Sequence, residues 1–146
     1  MGRVMRKKRG ALVLLLGALL LCVLAGGCSE KTETTLGDLL GEGMSEADRI
    51  LITRIAGMGS PEMTYLQEAA DVEKCKDTLR EVQCRDNGKY QYEEYSGRTE
   101  IDLVFYQEKD GTLVKLAECS FSEQGELYYQ GRKYTTDQSA DLSAWL

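Results

Sequence analysis

An uncharged apolar run at residues 11–24 opens this chain and decides how much of it can fold in water. Arg3, Arg6, Lys7, Lys8 and Arg9 precede it with no acid among residues 1–10, and Ala25, Gly26, Gly27 and Cys28 follow it. A basic start, an apolar middle and a small-residue end are the three parts of a secretory leader. The run has 14 residues, short of the roughly 20 that cross a hydrocarbon core about 30 Å thick. Taking residues 1–27 from 146 leaves 119, of which about 100 can join a folded unit, enough for one domain with one modest core. Two other readings stay open: a retained span stretched from Gly10 to Ser29, or a plain secretory cut after Gly27. In either anchored form the basic flank stays cytoplasmic and the rest lies outside.

The stretch Leu24-Ala25-Gly26-Gly27-Cys28 resembles a lipobox, with Ala25 where leucine is more usual. That resemblance implies cleavage before Cys28 and a diacylglyceryl thioether on its sulfur. Only a thiol can take that link. Each buried CH₂ contributes about 0.8 kcal/mol, so two acyl chains attach stably where one is marginal, and a third on the new amino terminus would tighten the hold. Membrane lipid, reached through Cys28, is the first expected partner, and the expected address is the cell membrane, lipid-anchored on its extracytoplasmic side.

Export also changes the charge. Five of the 18 basic residues lie in the leader, so 13 remain against 24 acidic ones. A net of −11 makes nucleic acid an unsuitable partner, because affinity there comes mainly from neutralising phosphates. A cationic peptide, a basic protein face or a divalent ion suits such a field better. The chain has no histidine, which removes the usual general base at neutral pH, the commonest zinc ligand and every His-activated nucleophile. No enzyme and no cofactor is expected.

Residues 28–44 read as the lipidated cysteine and a flexible tether, with Gly37, Gly41 and Gly43 spaced through it. A 16-residue coil of this kind reaches roughly 20–25 Å. Alternatively Leu36, Leu39 and Leu40 form one helical turn docked on the domain or the bilayer. A single domain is then expected over 45–146. Residues 50–55 are apolar on both faces, as in a buried strand, and Met63–Leu66 return from a turn at 57–61. Val72, Cys75, Leu79 and Val82 recur at helical spacing, with Glu73, Lys76, Asp77, Arg80 and Glu81 opposite, so the spacing predicts a helix over 69–83. Asp86-Asn87-Gly88 ends it and opens a loop. Ile101, Leu103 and Phe105 alternate with polar residues, and Asp110-Gly111 is a hairpin turn into a strand over 112–121. On that second strand Leu113, Ala117, Cys119 and Phe121 share one face, with Val114 and Leu116 on the other. Short strands over 126–129 and 133–136 follow, and 137–146 forms a closing helical turn with Trp145 as a lid.

The expected fold class is α+β: one antiparallel sheet with a single amphipathic helix on one face, in the order hairpin, helix, meander. That order, the hairpin from Phe105-Tyr106 to Asp110-Gly111 and the closing Gly131-Arg132-Lys133-Tyr134 resemble small lipoproteins of unknown function from Gram-positive bacteria. The likeness covers residues 49–136 and implies one ββαβββ domain behind a lipobox. It implies no catalytic residue.

Cys75, Cys84 and Cys119 accompany Cys28 in the mature part. Three thiols permit one disulfide at most. Cys75 and Cys84 on one helix would lie about 13.5 Å apart along its axis, so Cys75–Cys119 is the expected pair, with buried reduced thiols as the alternative. Glu93-Glu94 and the Glu100, Asp102 pair are the acid–base candidates, and alternating acids on a solvated strand face need no function. Asp86-Asn87-Gly88 and Lys109-Asp110-Gly111 lack alternating calcium ligands and read as turns. Tyrosine is the compositional excess, eight against two phenylalanines. Tyr90, Tyr92, Tyr95, Tyr106, Tyr128 and Tyr129 are expected on one exposed sheet surface, where rings offer large contact area at low entropic cost; cross-strand packing is the other reading. The expectation is therefore a membrane-anchored binding or accessory module for an envelope protein, cationic peptide or glycan. Its alternative is an inhibitory or protective lipoprotein that blocks an extracellular enzyme or toxin by inserting loop 86–98.

Overall fold

The computed structural model describes residues 32–89 and 99–138. In chain order these form β1 (Glu33–Thr35), α1 (Leu36–Ser45), β2 (Arg49–Ala56), β3 (Glu62–Leu66), α2 (Ala69–Arg80), β4 (Gln83–Lys89), β5 (Thr99–Lys109), β6 (Thr112–Ser122), β7 (Glu126–Tyr129) and β8 (Arg132–Thr135). All eight strands lie in one sheet of order β1-β4-β8-β7-β6-β5-β2-β3, and every neighbouring pair is antiparallel. The α+β class with one antiparallel sheet stands, but among the described residues two helices rather than one cover it.

The second helix comes from the stretch expected as a tether. Leu36, Leu40 and Met44 are 0%, 4% and 2% exposed and join the single core cluster. The docked-turn alternative is thus the nearer one, extended from one turn to a ten-residue helix. Its start is fixed chemically: the Thr35 hydroxyl accepts from Asp38 N–H at 3.0 Å, an N-cap. Its glycines are structural. Gly41 holds φ 51° and ψ −129° at a kink, where only glycine sits without strain. A Cβ on Gly43 would stand 2.7 Å from Ala117 Cβ, so hydrogen there lets the helix lie against β6. The domain boundary expected at residue 45 therefore moves back to Thr32, whose carbonyl accepts from Asp86 N–H at 3.2 Å.

Helix α2 ends at Arg80 rather than 83. Asp86-Asn87-Gly88 does not open a loop but lies within β4, where the register with β8 shifts between Asp86 and Lys89 and Gly88 takes φ 96°. Turn-forming residues here mark a bulge in a paired strand. The predicted hairpin holds: Asp110-Gly111 (φ 53° and 77°) joins β5 to β6; a like turn at Gln130-Gly131 (φ 48° and 72°) joins β7 to β8, leaving Arg132 within β8. Such two-residue turns match the twist of the strands they connect.

Ile50, Ile52, Ile101, Leu103, Phe105, Cys119, Phe121, Leu127 and Tyr134 line the sheet's covered face and meet Val72, Cys75 and Leu79 of α2 and the leucines of α1. A register shift between Phe105 and Tyr106 inserts Leu116 into β6 as a bulge. Leu116 then packs against the core, not on the opposite face as its alternation suggests. Lys76 also leaves the polar side assigned to it: it is 3% exposed, and its ammonium donates to Ser45 O at 3.1 Å and Glu73 Oε1 at 2.9 Å. The expected closing turn at 139–146 with Trp145 lies outside the described residues.

Candidate functional site: the open face of the sheet

Both described helices share one face of the sheet, so alternation along the strands sends every second side chain to the other, open face. Register gives its layout. From the β3 edge inward it carries Met63 and Tyr65, then Leu51 and Thr53 opposite them, then Val104 and Asp102. Glu118 and Ser120 follow, and Tyr128 then faces Lys133. Tyr106 joins this face beside Arg49 and Lys115. The face grades from apolar at β3, through aromatic and acidic in the middle, to mixed charge at β8.

Its middle is built by short polar bonds. Ser120 Oγ donates to Asp102 Oδ1 at 2.6 Å, Tyr128 OH donates to Glu126 Oε2 at 2.7 Å, and Lys115 Nζ donates to Glu118 Oε2 at 2.8 Å. At its flank Arg49 Nη2 bridges to Glu108 Oε2 at 2.5 Å, and Asp48 Oδ1 accepts from Glu108 N–H at 2.9 Å. These bonds hold Tyr128 and the carboxylates in place, with Lys115 and Glu118 exposed and Asp102, Tyr106 and Tyr128 half-buried.

The six tyrosines do not form the one surface expected of them. Tyr90, Tyr92 and Tyr95 lie outside the described residues, as do Glu93, Glu94, Cys28 and the part of loop 86–98 beyond Lys89. Tyr106 and Tyr128 are on the open face. Tyr129, adjacent to Tyr128, points the other way and packs against the core; burial raises its hydroxyl's pKa. Sequence reasoning passed over Tyr65 and Met63, 42% and 68% exposed on the free edge strand. Their mark in the sequence is a strand whose alternate residues are apolar although its place at the edge leaves them solvated.

Cys75, Cys84 and Cys119 are free thiols, all buried. Cys84 belongs to β4 rather than to the helix, so helical spacing does not hold it from Cys75. Burial pushes the Cys75 thiol up to about 12 and Cys84 up to about 11. Cys119 is raised further by burial, with the nearby Cys84 thiol and Asp102 carboxylate adding. Thiols held protonated in this way are poor nucleophiles. Among the described residues no group of three or more Cys, Asp or Glu is placed to hold a metal ion.

A shallow cleft of about 200 Å³ lies at the far end of the sheet, lined by Glu33, Gln83, Cys84, Arg85, Thr135 and Asp137. Beside it Asp86 accepts from Gly88 N–H at 2.7 Å and from Arg132 Nη2 at 2.7 Å. Those bonds, the backbone one first, hold its carboxyl below the usual carboxylate range.

Compared with family models, curated proteins and solved structures, the chain matches none. The residues themselves carry the functional reading.

Proposed function

We propose that this chain is a lipid-anchored binding module on the extracytoplasmic side of the cell membrane, holding a basic protein surface or cationic peptide on the open face of its sheet. The observation that carries the reading is the face itself. Tyr106 and Tyr128 stand there among Asp102, Glu118 and Glu126, and both described helices pack on the opposite side. Rings flanked by carboxylates suit cationic side chains, through charge and through the ring faces. The mature excess of 24 acidic over 13 basic residues would steer such a partner in. The anchor itself rests on the lipobox-like residues 24–28 and the basic, apolar leader before them.

Two measurements test the halves separately. Intact mass of the membrane-extracted chain should show the leader gone and Cys28 carrying diacylglycerol; an unmodified Cys28 removes the anchor. A photo-reactive residue at position 106 should cross-link one stoichiometric envelope partner. Glu118→Lys should abolish that cross-link, and raising salt from about 50 mM to about 500 mM should weaken it by screening. A cross-link unchanged by both would refute the open face as a cation-binding surface.

A further inference from the structure

The folded body begins almost at the anchor. Thr32 O accepts from Asp86 N–H, Glu33, Thr34 and Thr35 pair with Arg85, Cys84 and Gln83, and Leu36 N–H donates to Val82 O at 2.8 Å. Arg85 Nε also meets Glu33 Oε1 at 3.4 Å. Only Ser29, Glu30 and Lys31 separate Cys28 from this laced edge. Four residue steps span at most about 14 Å fully extended, whereas the polar headgroup layer alone is about 5–7 Å deep on each side.

From this geometry we infer that the body lies directly on the outer leaflet with its β1–β4 edge toward the lipid headgroups, so that the β3 edge is turned away from the membrane. The inference rests on the lipid anchor at Cys28 and adds an orientation to it. A tether of 16 residues reaches roughly 20–25 Å on average, whereas the three residues here keep the edge strand within about 14 Å of the anchor.

Charge permits the same contact. The three strands nearest the anchor carry Arg85, Lys89, Arg132 and Lys133 against Glu33 and Asp86. Asp38, Glu81 and Asp137, close by, and Glu126, which pairs with Lys133, leave this end slightly acidic. The acids of α1 and the turn after it, Glu42, Glu46 and Asp48, lie progressively farther on, where Asp48 N–H donates to Tyr106 O at 3.0 Å. A chain of net −11 thus turns a nearly balanced end to an anionic leaflet and keeps most of its acidity away from it. The opposite end carries the exposed apolar side chains Met58, Met63 and Tyr65. Six strand spacings separate β4 from β3, up to about 29 Å before twist shortens it.

The experiment uses the full lipidated chain in vesicles of phosphatidylcholine and phosphatidylglycerol. Arg85→Cys and Met58→Cys each receive a maleimide donor dye at pH 7, where the three buried thiols stay protonated and a thioether at Cys28 does not react. Energy transfer to a headgroup-labelled acceptor lipid should be at least about threefold stronger from position 85 than from 58, given a separation of up to about 29 Å. Ten Gly/Ser residues inserted after Glu30 should erase most of that difference. Floating vesicles that carry the protein with equal transfer from both positions overturn the orientation alone. Protein that fails to float with the vesicles overturns the anchor and the orientation with it.

Discussion

The Lys76 ammonium closes the end of one helix from within the other. Its bond to Ser45 O satisfies a carbonyl that helix α1 leaves open, at the negative end of that helix's dipole. Lys76→Met keeps the apolar stem and orphans the carbonyl, so it should destabilise by about 1–3 kcal/mol. Glu73→Gln removes a partner that is 59% exposed and should change stability by less than about 1 kcal/mol. Urea midpoints compare the two, and equal shifts would show that the ion pair rather than the carbonyl bond matters. The thiols predict a pH dependence. Their pKa values are raised on folding, so the unfolded chain sheds protons first as pH rises, and stability falls. The thiol contribution to stability should be flat below about pH 8, then decline as pH climbs toward 11 and 12, the levels of Cys84 and Cys75. The slope should reach up to about 1.4 kcal/mol per pH unit per thiol. Denaturant titrations at pH 8 and 10.5 should show a shallower decline for Cys75→Ala, and an unchanged one would mean that burial is not the cause. Neither the seat of Lys76 nor the burial of Cys84 could be read from helical spacing, because each depends on what α1 brings alongside.

Two elements escaped the period rules, for different reasons. Strand β4, Gln83–Lys89, has one apolar residue and three of the strongest turn formers, so no local preference marks it. It extends because β1 and β8 supply partners on both sides, and strand propensity yields to such context. Helix α1 contains three glycines that normally signal flexibility. Here Gly41 permits a kink, while Gly37 and Gly43 permit close approaches to Arg80 and to Ala117 of β6. Leu40→Ala should cost about 2–5 kcal/mol, as for a core leucine, where a tether residue would cost nothing measurable. Gly43→Ala should cost about 1–3 kcal/mol through the clash with Ala117. Thermal melts check both, and a chain begun at residue 45 should lose its single cooperative transition. By contrast β2, β5, β6, α2 and the Asp110-Gly111 turn follow directly from apolar alternation, helical spacing and turn chemistry, since each buries a stripe that its own residues define.

At the scale of the molecule, both described helices lie on one side of the sheet, and among the described residues the other face carries no helix. Tyr106→Ala should weaken partner binding by at least about tenfold, the loss of a buried interface ring, while leaving the melting temperature nearly unchanged. Tyr129→Ala should do the reverse, since its ring packs in the core; binding and melting measured together on both variants decide it. If Tyr106→Ala unfolds the chain, the open face is a structural surface and its binding role fails. The amino-acid order alone determined an acidic, histidine-free chain with an α+β pattern and raised the expectation of export and of lipidation at Cys28, because charge, composition and short-range period need no partner to be expressed. Only the tertiary structure decided where the body starts, which of the described tyrosines face out and that Lys76 and Cys84 are interior. Those outcomes depend on which residues distant in sequence meet across β1, β4 and α1, and such meetings leave no local trace in the chain.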